Sequence, residues 1–196
     1  MSHITKIILI TLIGFTLASP VLAQVAINNT QSDDKNARAR NYFGDEILID
    51  QDGKSHRFYS DLLSDRIVLI NVIFTYCKDA CPLLTQHLRM VKQQLGKRFG
   101  AEFRFLSLSV DPEHDTPELL KRFAIKQYAD VPGWRFLVAE KAIMAKVLGR
   151  FGQWTEDPNN HGTLLIAGNT RKAHWIKIRP DSPPERIVAD LLRLSE

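Results

Sequence analysis

The sequence predicts an α/β domain in which a central sheet is flanked by helices and extended by an added N-terminal β-hairpin. Three observations support this. Ile67-Val68-Leu69-Ile70-Asn71-Val72-Ile73-Phe74 is a continuous, mostly β-branched run, the pattern of a strand covered on both faces. Strand-like and helix-like segments then alternate along the chain, the order that crossover connections produce. The 196 residues, 44% hydrophobic and 24% charged, suffice for one ordinary core and fall short of two full-sized domains. With 10 glycines and 9 prolines the chain is neither collagen-like nor of low complexity. Only 2 cysteines are present, so a disulfide-stapled mini-protein is excluded and their spacing must be read as chemistry.

Taken in order, Tyr42 to Tyr59 reads as a hairpin, with Ile47-Leu48-Ile49 and the segment around Phe58 flanking a turn at Asp52-Gly53. The Ile67 run follows as the centre of the sheet. Pro82 to about Phe99 carries Leu83, Leu84, His87, Leu88, Val91 and Leu95 at helical spacing, with Gly96 and Gly100 as stops. Phe103 to Val110 alternates as a strand. Pro117 to Tyr128 is a helix that Asp115 or Thr116 can cap, with Pro117 suited to its first position. Trp134 to Val138 is a short strand and Glu140 to Phe151 a helix. Thr163 to Ala167 and Ala173 to Ile178 make a second hairpin across Gly168-Asn169. Pro183 to Leu194 closes the chain as a helix with Ile187, Val188, Leu191 and Leu192 on one face. That order matches a thioredoxin-like sheet with the extra hairpin in front.

The first residues read as a targeting segment. Lys6, the apolar run Ile7 to Ala18 and Val21-Leu22-Ala23 before Gln24 have the layout of an export signal over residues 1–23. The run is shorter than the roughly 20 residues that span a bilayer, and Pro20 and Gln24 do not extend it; an uncleaved anchor is the alternative. Residues 24–41 lack apolar periodicity and read as a solvated tether, leaving 42–196 as the folded domain. Removing residues 1–23 takes away one base and no acid, which lowers the formal charge from +4 to +3. So mild an excess, with no basic stripe interleaved with aromatics, makes no case for nucleic-acid binding. Lys92, Lys97 and Arg98 read as a solvated helix face, with docking of an acidic partner as the other use.

Cys77 and Cys81 sit between the buried strand and the Pro82 helix. A separation of four lets both sulfurs face one way across a helical turn, and the unsatisfied N–H groups of a helix start favour thiolate over thiol. The pair can bind one soft cation or close a small disulfide, which an oxidising compartment favours. A third ligand must come from elsewhere. His3 belongs to the signal, His56 to the first hairpin, His114 to a turn and His174 to a late strand. His87 lies six residues beyond Cys81, toward the other side of the helix, and reads as a core or surface residue. His161 ends the Gln153 to Asn160 loop directly before a strand, and in a thioredoxin-like sheet that loop end faces the cysteine turn.

From about Tyr42 to the C-terminus the chain resembles the Sco/SenC family, copper-binding assembly factors for cytochrome c oxidase with a thioredoxin-like fold. The resemblance rests on Phe74-Thr75-x-Cys77-x-x-x-Cys81-Pro82, on Ser109-Val110-Asp111-Pro112-x-x-Asp115-Thr116-Pro117, and on His161 before a β-strand. It implies Cys77, Cys81 and His161 as ligands of a copper ion, Cu(I) or Cu(II), and a periplasmic location. It further implies as partners a copper-bearing oxidase subunit or other exported copper protein, and a thiol-disulfide reductant. Asp111 and Asp115 match acidic positions near the family site. The chain departs from the family pattern at Lys78, where many relatives carry proline, at Gly162, where a hydroxyl residue is frequent, and in the Gly168-Asn169-Thr170-Arg171 turn.

Two thiolates and an imidazole suit cuprous ion; cupric ion accepts the set with a further oxygen, and zinc with a fourth group. Two functions therefore stand side by side: a metallochaperone, which is not a catalyst, and a thiol-disulfide oxidoreductase acting on cysteines of a copper-site or cytochrome partner through Cys77 and Cys81. The second has against it three intervening residues rather than two between the cysteines, and no proline immediately before the Thr163 strand. A peroxidase of the peroxiredoxin type needs a proline and a threonine leading into its cysteine, with a supporting arginine; here Thr75 lies too close to Cys77 and the preceding strand has no proline.

Overall fold

The computed structural model describes residues 37–196. The predicted signal and residues 24–36 of the predicted tether lie outside the described residues. Residues 37–43, at the tether's end, are helical rather than irregular. Their anchor is Phe43, which is buried against Phe151 and Trp175 at ring-centroid distances of 5.6 and 4.8 Å. One aromatic residue without periodic neighbours was too little signal to mark a helix in the sequence.

Seven strands form one sheet in the order β2-β1-β5-β4-β3-β6-β7. They are β1 Ile47–Asp50, β2 Ser55–Arg57, β3 Ile67–Ile73, β4 Phe103–Ser109, β5 Trp134–Val138, β6 Leu165–Asn169 and β7 His174–Ile178. β3, β4 and β5 run parallel, while β1 and β6 attach antiparallel on either side. Every residue of β3 is buried, as its β-branched run requires of a strand with both faces covered. The crossover helices are α1 Ala80–Leu95 between β3 and β4, and α2 Pro117–Lys126 between β4 and β5; α3 Lys141–Gly149 and α4 Pro184–Ser195 follow. α4 packs on α1, β3 and β6, and α2 on β5. Thr116 caps α2 by accepting from the Leu119 N–H, and Gly96 ends α1 at φ +55°, a backbone state that suits glycine. Lys97 and Arg98 therefore sit in a short 3₁₀ turn rather than on the helix, and Arg98 is paired with Glu102.

Both hairpins form, each with a shift. After β2 the chain makes a π-helical turn, Phe58–Leu63, instead of continuing as a strand. Phe58, Tyr59, Leu62 and Leu63 are all buried, and a helical turn can turn adjacent and i+4 residues inward where a strand would send neighbours to opposite faces. In the second hairpin Gly168 and Asn169 belong to β6, and the turn falls at 170–173. Trp175 lies over Gly168 so closely that a Cβ there would meet its ring at 2.2 Å, and Asn169 is tied to the Leu194 carbonyl. A cross-strand tryptophan and the C-terminal helix thus decide the register. At the sheet's centre Trp134 Nε1 donates to Ser107 Oγ, which donates to Asn71 Oδ1, a polar thread across β5, β4 and β3. Among the described residues no helix is long and apolar enough to cross a membrane.

Candidate metal centre

The parallel strands β3 and β4 end side by side, and their ends carry the site. Phe74 continues β3, and the Cys77 N–H donates back to its carbonyl at 3.2 Å. The turn is held from below by Asp115, only 4% exposed, which accepts from the Thr75 N–H at 3.0 Å and from the Thr75 and Ser109 hydroxyls at 2.5 Å each. Ser109 Oγ in turn accepts the Asp111 N–H at 3.1 Å. Burial pushes the Asp115 carboxyl up, and these hydrogen bonds oppose that shift without cancelling it.

Asp79 precedes α1 but makes no side-chain cap. Instead the Cys81 N–H, one of the orphan donors of the first turn, points at Cys77 Sγ at 3.3 Å. A sulfur thus serves as acceptor for a first-turn N–H that a capping oxygen would otherwise take. Both cysteines are free thiols, Cys77 half-buried and Cys81 only 2% exposed. The expectation that the helix start favours thiolate fails at Cys81. Burial pushes its thiol well up, and the contact with Cys77 adds to the rise.

His161 follows a 3₁₀ turn, Pro158–Asn160, capped by Asp157, whose carboxylate accepts from the Asn159 N–H and from the Asn159 and Asn160 side-chain amides, each at 3.0 Å. Its Nδ1 lies 2.9 Å from the Gly162 carbonyl. A carbonyl oxygen only accepts, so in the neutral ring Nδ1 carries the proton and Nε2 keeps its lone pair for a ligand. The ring meets Phe74 edge-on at 5.7 Å. His161 and Cys81 line one cavity of about 640 Å³, mostly apolar, on the α1 side. The structure therefore joins the two cysteines and sets the imidazole on the wall that Cys81 shares. It does not draw all three into one cluster: among the described residues no three His, Cys, Asp or Glu side chains are gathered closely enough to hold a metal ion.

Two features escaped the sequence. His87 lines the same cavity, with Nε2 2.8 Å from the Ser182 carbonyl. Six residues along a helix advance the direction by about 240°, equivalent to 120° the other way, and the cavity is broad enough to cover that arc. Leu83 and Met90, 66% and 46% exposed, join it on the cavity rim, a periodicity visible in the letters but indistinguishable there from core spacing. On the opposite side of Phe74 a more polar cavity of about 690 Å³ holds Asp111 and His114, 2.8 Å apart, and the carboxylate pushes the imidazole's pKa up. Asp111 thus engages His114, not the sulfurs.

Two cysteines at a strand-to-helix turn of a mixed α/β sheet, with a loop histidine across a shared cavity, define a thioredoxin-like thiol domain. The chain belongs to the SCO1/SenC family, whose model matches residues 35–194. It is similar to a SCO1 protein homolog of Bacillus subtilis strain 168, 38% identical over 87 residues that make up 44% of each chain, so the match spans less than half of that relative. Among solved structures, it is similar to Bradyrhizobium japonicum ScoI with copper bound, with a TM-score of 0.64 and 28% identity over 77% of this chain and 98% of that one. BsSco, a member of the Sco family of cytochrome c oxidase assembly proteins in which a disulfide switch has been identified, superimposes with a TM-score of 0.66 at 25% identity. That match covers 78% of this chain and 92% of BsSco.

Proposed function

We propose that this chain is an exported, periplasmic copper carrier for assembly of a cytochrome c oxidase copper centre, holding copper through Cys77 Sγ, Cys81 Sγ and His161 Nε2. Residues 1–23 supply the export signal or a retained anchor. The observation that carries the reading is a pair of free thiols joined by the Sγ to N–H contact, of which Cys81 lines a cavity that His161 also lines. Two sulfurs and an imidazole nitrogen suit cuprous ion, and the copper-bound ScoI and the oxidase-assembly role of BsSco support the same cargo and destination. To capture copper, the 153–162 loop closes on the thiol turn and both thiols give up their protons to solvent. Because burial raises the Cys81 thiol, loading strengthens as pH rises. Delivery is ligand exchange with thiolates of the acceptor. Oxidation of the pair to a disulfide removes both sulfur ligands and frees the ion.

The half-exposed Cys77 and buried Cys81 also suit a second reading, thiol-disulfide exchange in which Cys77 attacks a partner disulfide and Cys81 resolves the mixed disulfide. Anaerobic Cu(I) titration of the reduced protein, beside His161→Ala, separates the two. The carrier reading expects one ion per chain and an affinity at least tenfold weaker in the variant. Equal stoichiometry and affinity in both remove the three-ligand model, and disulfide reductase activity that survives the substitution favours exchange.

A further inference from the structure

Three arginines come together at the end of the sheet opposite the cysteines. There β3, β4 and β5 begin. Leu106 of β4 stands beside Arg135 of β5, and Arg104 lies two residues before Leu106, so both guanidinium-bearing residues share one face of the sheet. Val68 of β3 is registered with Arg104, which brings Arg66, two residues upstream of Val68, to the same corner. Burial, with Arg66 and Arg135 close by, pushes the Arg104 guanidinium down from its usual value. No carboxylate pairs with Arg104 or Arg66 among the described residues. Arg135 reaches Asp50 at 3.4 Å, but Asp50 is already held by His56 at 2.7 Å and by the Asp52 and Lys54 N–H groups. Asp61 at the rim is engaged by Arg57 through both oxygens.

Arg104 and Arg135 line a cleft of about 860 Å³ together with Lys54, His56, Ser55 and Ser60. Two planar forks, an ammonium and the Ser55 hydroxyl offer more donors than Asp50, already engaged, can accept, and a half-buried guanidinium such as Arg104 without a carboxylate partner is unfavourable on its own. We propose that this cleft binds a phosphate-type oxyanion, held by the Arg104 and Arg135 guanidiniums with Lys54 and the Ser55 hydroxyl completing its shell; the Ser60 hydroxyl is committed to Asp45. Arg66 sits behind Arg104 and adds field rather than contact. The anion is either free phosphate or the headgroup of an anionic phospholipid, the same chemistry from two sources. Nothing in this assignment uses the thiol turn, so it stands or falls apart from the copper reading.

Thermal unfolding of the reduced full chain in phosphate, against chloride at matched ionic strength, tests it with wild type, Arg104→Gln and Arg104→Lys. Wild type is expected to gain several degrees in phosphate, Arg104→Gln to lose that gain and Arg104→Lys to keep part of it. Broadening of the ³¹P resonance of inorganic phosphate reads binding directly and does not depend on how the variants' own stability moves. Sedimentation with phosphatidylglycerol vesicles against phosphatidylcholine vesicles assigns the source. Arg104-dependent retention on the anionic vesicles identifies the headgroup; an Arg104-dependent phosphate response without it identifies the free ion. Wild type that responds in neither assay, or Arg104→Gln that responds as wild type does, overturns the proposal.

Discussion

The thiol turn and the histidine loop face the same cavity but are built by opposite means. Cys77 lies in the turn that follows buried β3 and Cys81 in the first turn of α1, and the connection between them and the strand is held by the buried carboxylate of Asp115 through three hydrogen bonds. His161 follows a turn held by the exposed carboxylate of Asp157 and keeps its own ring in place through its neighbour's carbonyl. Hydrogen bonds inside the low-dielectric core are strong and expensive to leave half-made, whereas those at the surface exchange with water at little cost. The sulfur half of the site is therefore preset and the imidazole half adjustable. In the carrier reading proposed above, that division would let a rigid sulfur pair hold the ion and a single loop ligand release it.

The contrast breaks most clearly at Asp115. Asp115→Ala leaves the half-buried Thr75 N–H and hydroxyl and the buried Ser109 hydroxyl without their acceptor and should lower stability by about 2–4 kcal/mol, read as a shift of the denaturant midpoint. A loss as small as that of a surface carboxylate would mean the turn is not preset. Next comes its pH dependence. Burial raises the Asp115 carboxyl above its ordinary 3.8, so the folded protein holds that proton more tightly; the stabilisation is complete below 3.8 and is lost as pH rises through the higher folded value. The stability of wild type relative to Asp115→Asn should accordingly fall as pH climbs through that window. A difference that is flat, or that grows with pH, contradicts the burial argument.

On the loop side the expected effects are smaller. Asp157→Ala removes a surface cap and should lower stability by about 1 kcal/mol or less, while weakening Cu(I) affinity measurably because His161 loses its platform. A variant with unchanged affinity would show that the turn does not present the imidazole. Smallest is Gly162→Ser. A Cβ at Gly162 would lie 2.7 Å from Gln153 Oε1, the far end of a flexible side chain whose buried oxygen has no hydrogen-bond partner. Gln153 fills the space that a side chain at 162 would occupy, which accounts for glycine where the family often has a hydroxyl. The amide can swing aside, so the change in stability should stay within about 0.5 kcal/mol; a larger loss would make the loop as tightly packed as the turn.

Elements with a strong local period were legible in the letters. β3 and β5 fall where their apolar runs place them, α1 and α2 begin at their prolines or within two residues of them, and the cysteine spacing foretells a shared turn. The misses have physical causes. The π-helical turn at Phe58–Leu63 and the shifted second hairpin depend on what lies against them, the core and Trp175, and neither is encoded within five residues. The place of His87 on the cavity is not legible in the sequence, because angular position on a helix says nothing about the width of the cavity beside it. The depth of Cys81 was likewise invisible: a helix start argues for thiolate and burial argues against it, and only packing decides which is larger.

By itself the sequence determined which residues could do chemistry here, because donor atoms, their spacing and the periodicity of the flanking segments are local properties. Tertiary structure alone decided how those residues are poised. Burial, register and the partner on the far side of a cavity are set by segments distant along the chain, so the preset thiol turn, the adjustable imidazole and the arginines gathered at the opposite end of the sheet emerge only once the strands are side by side.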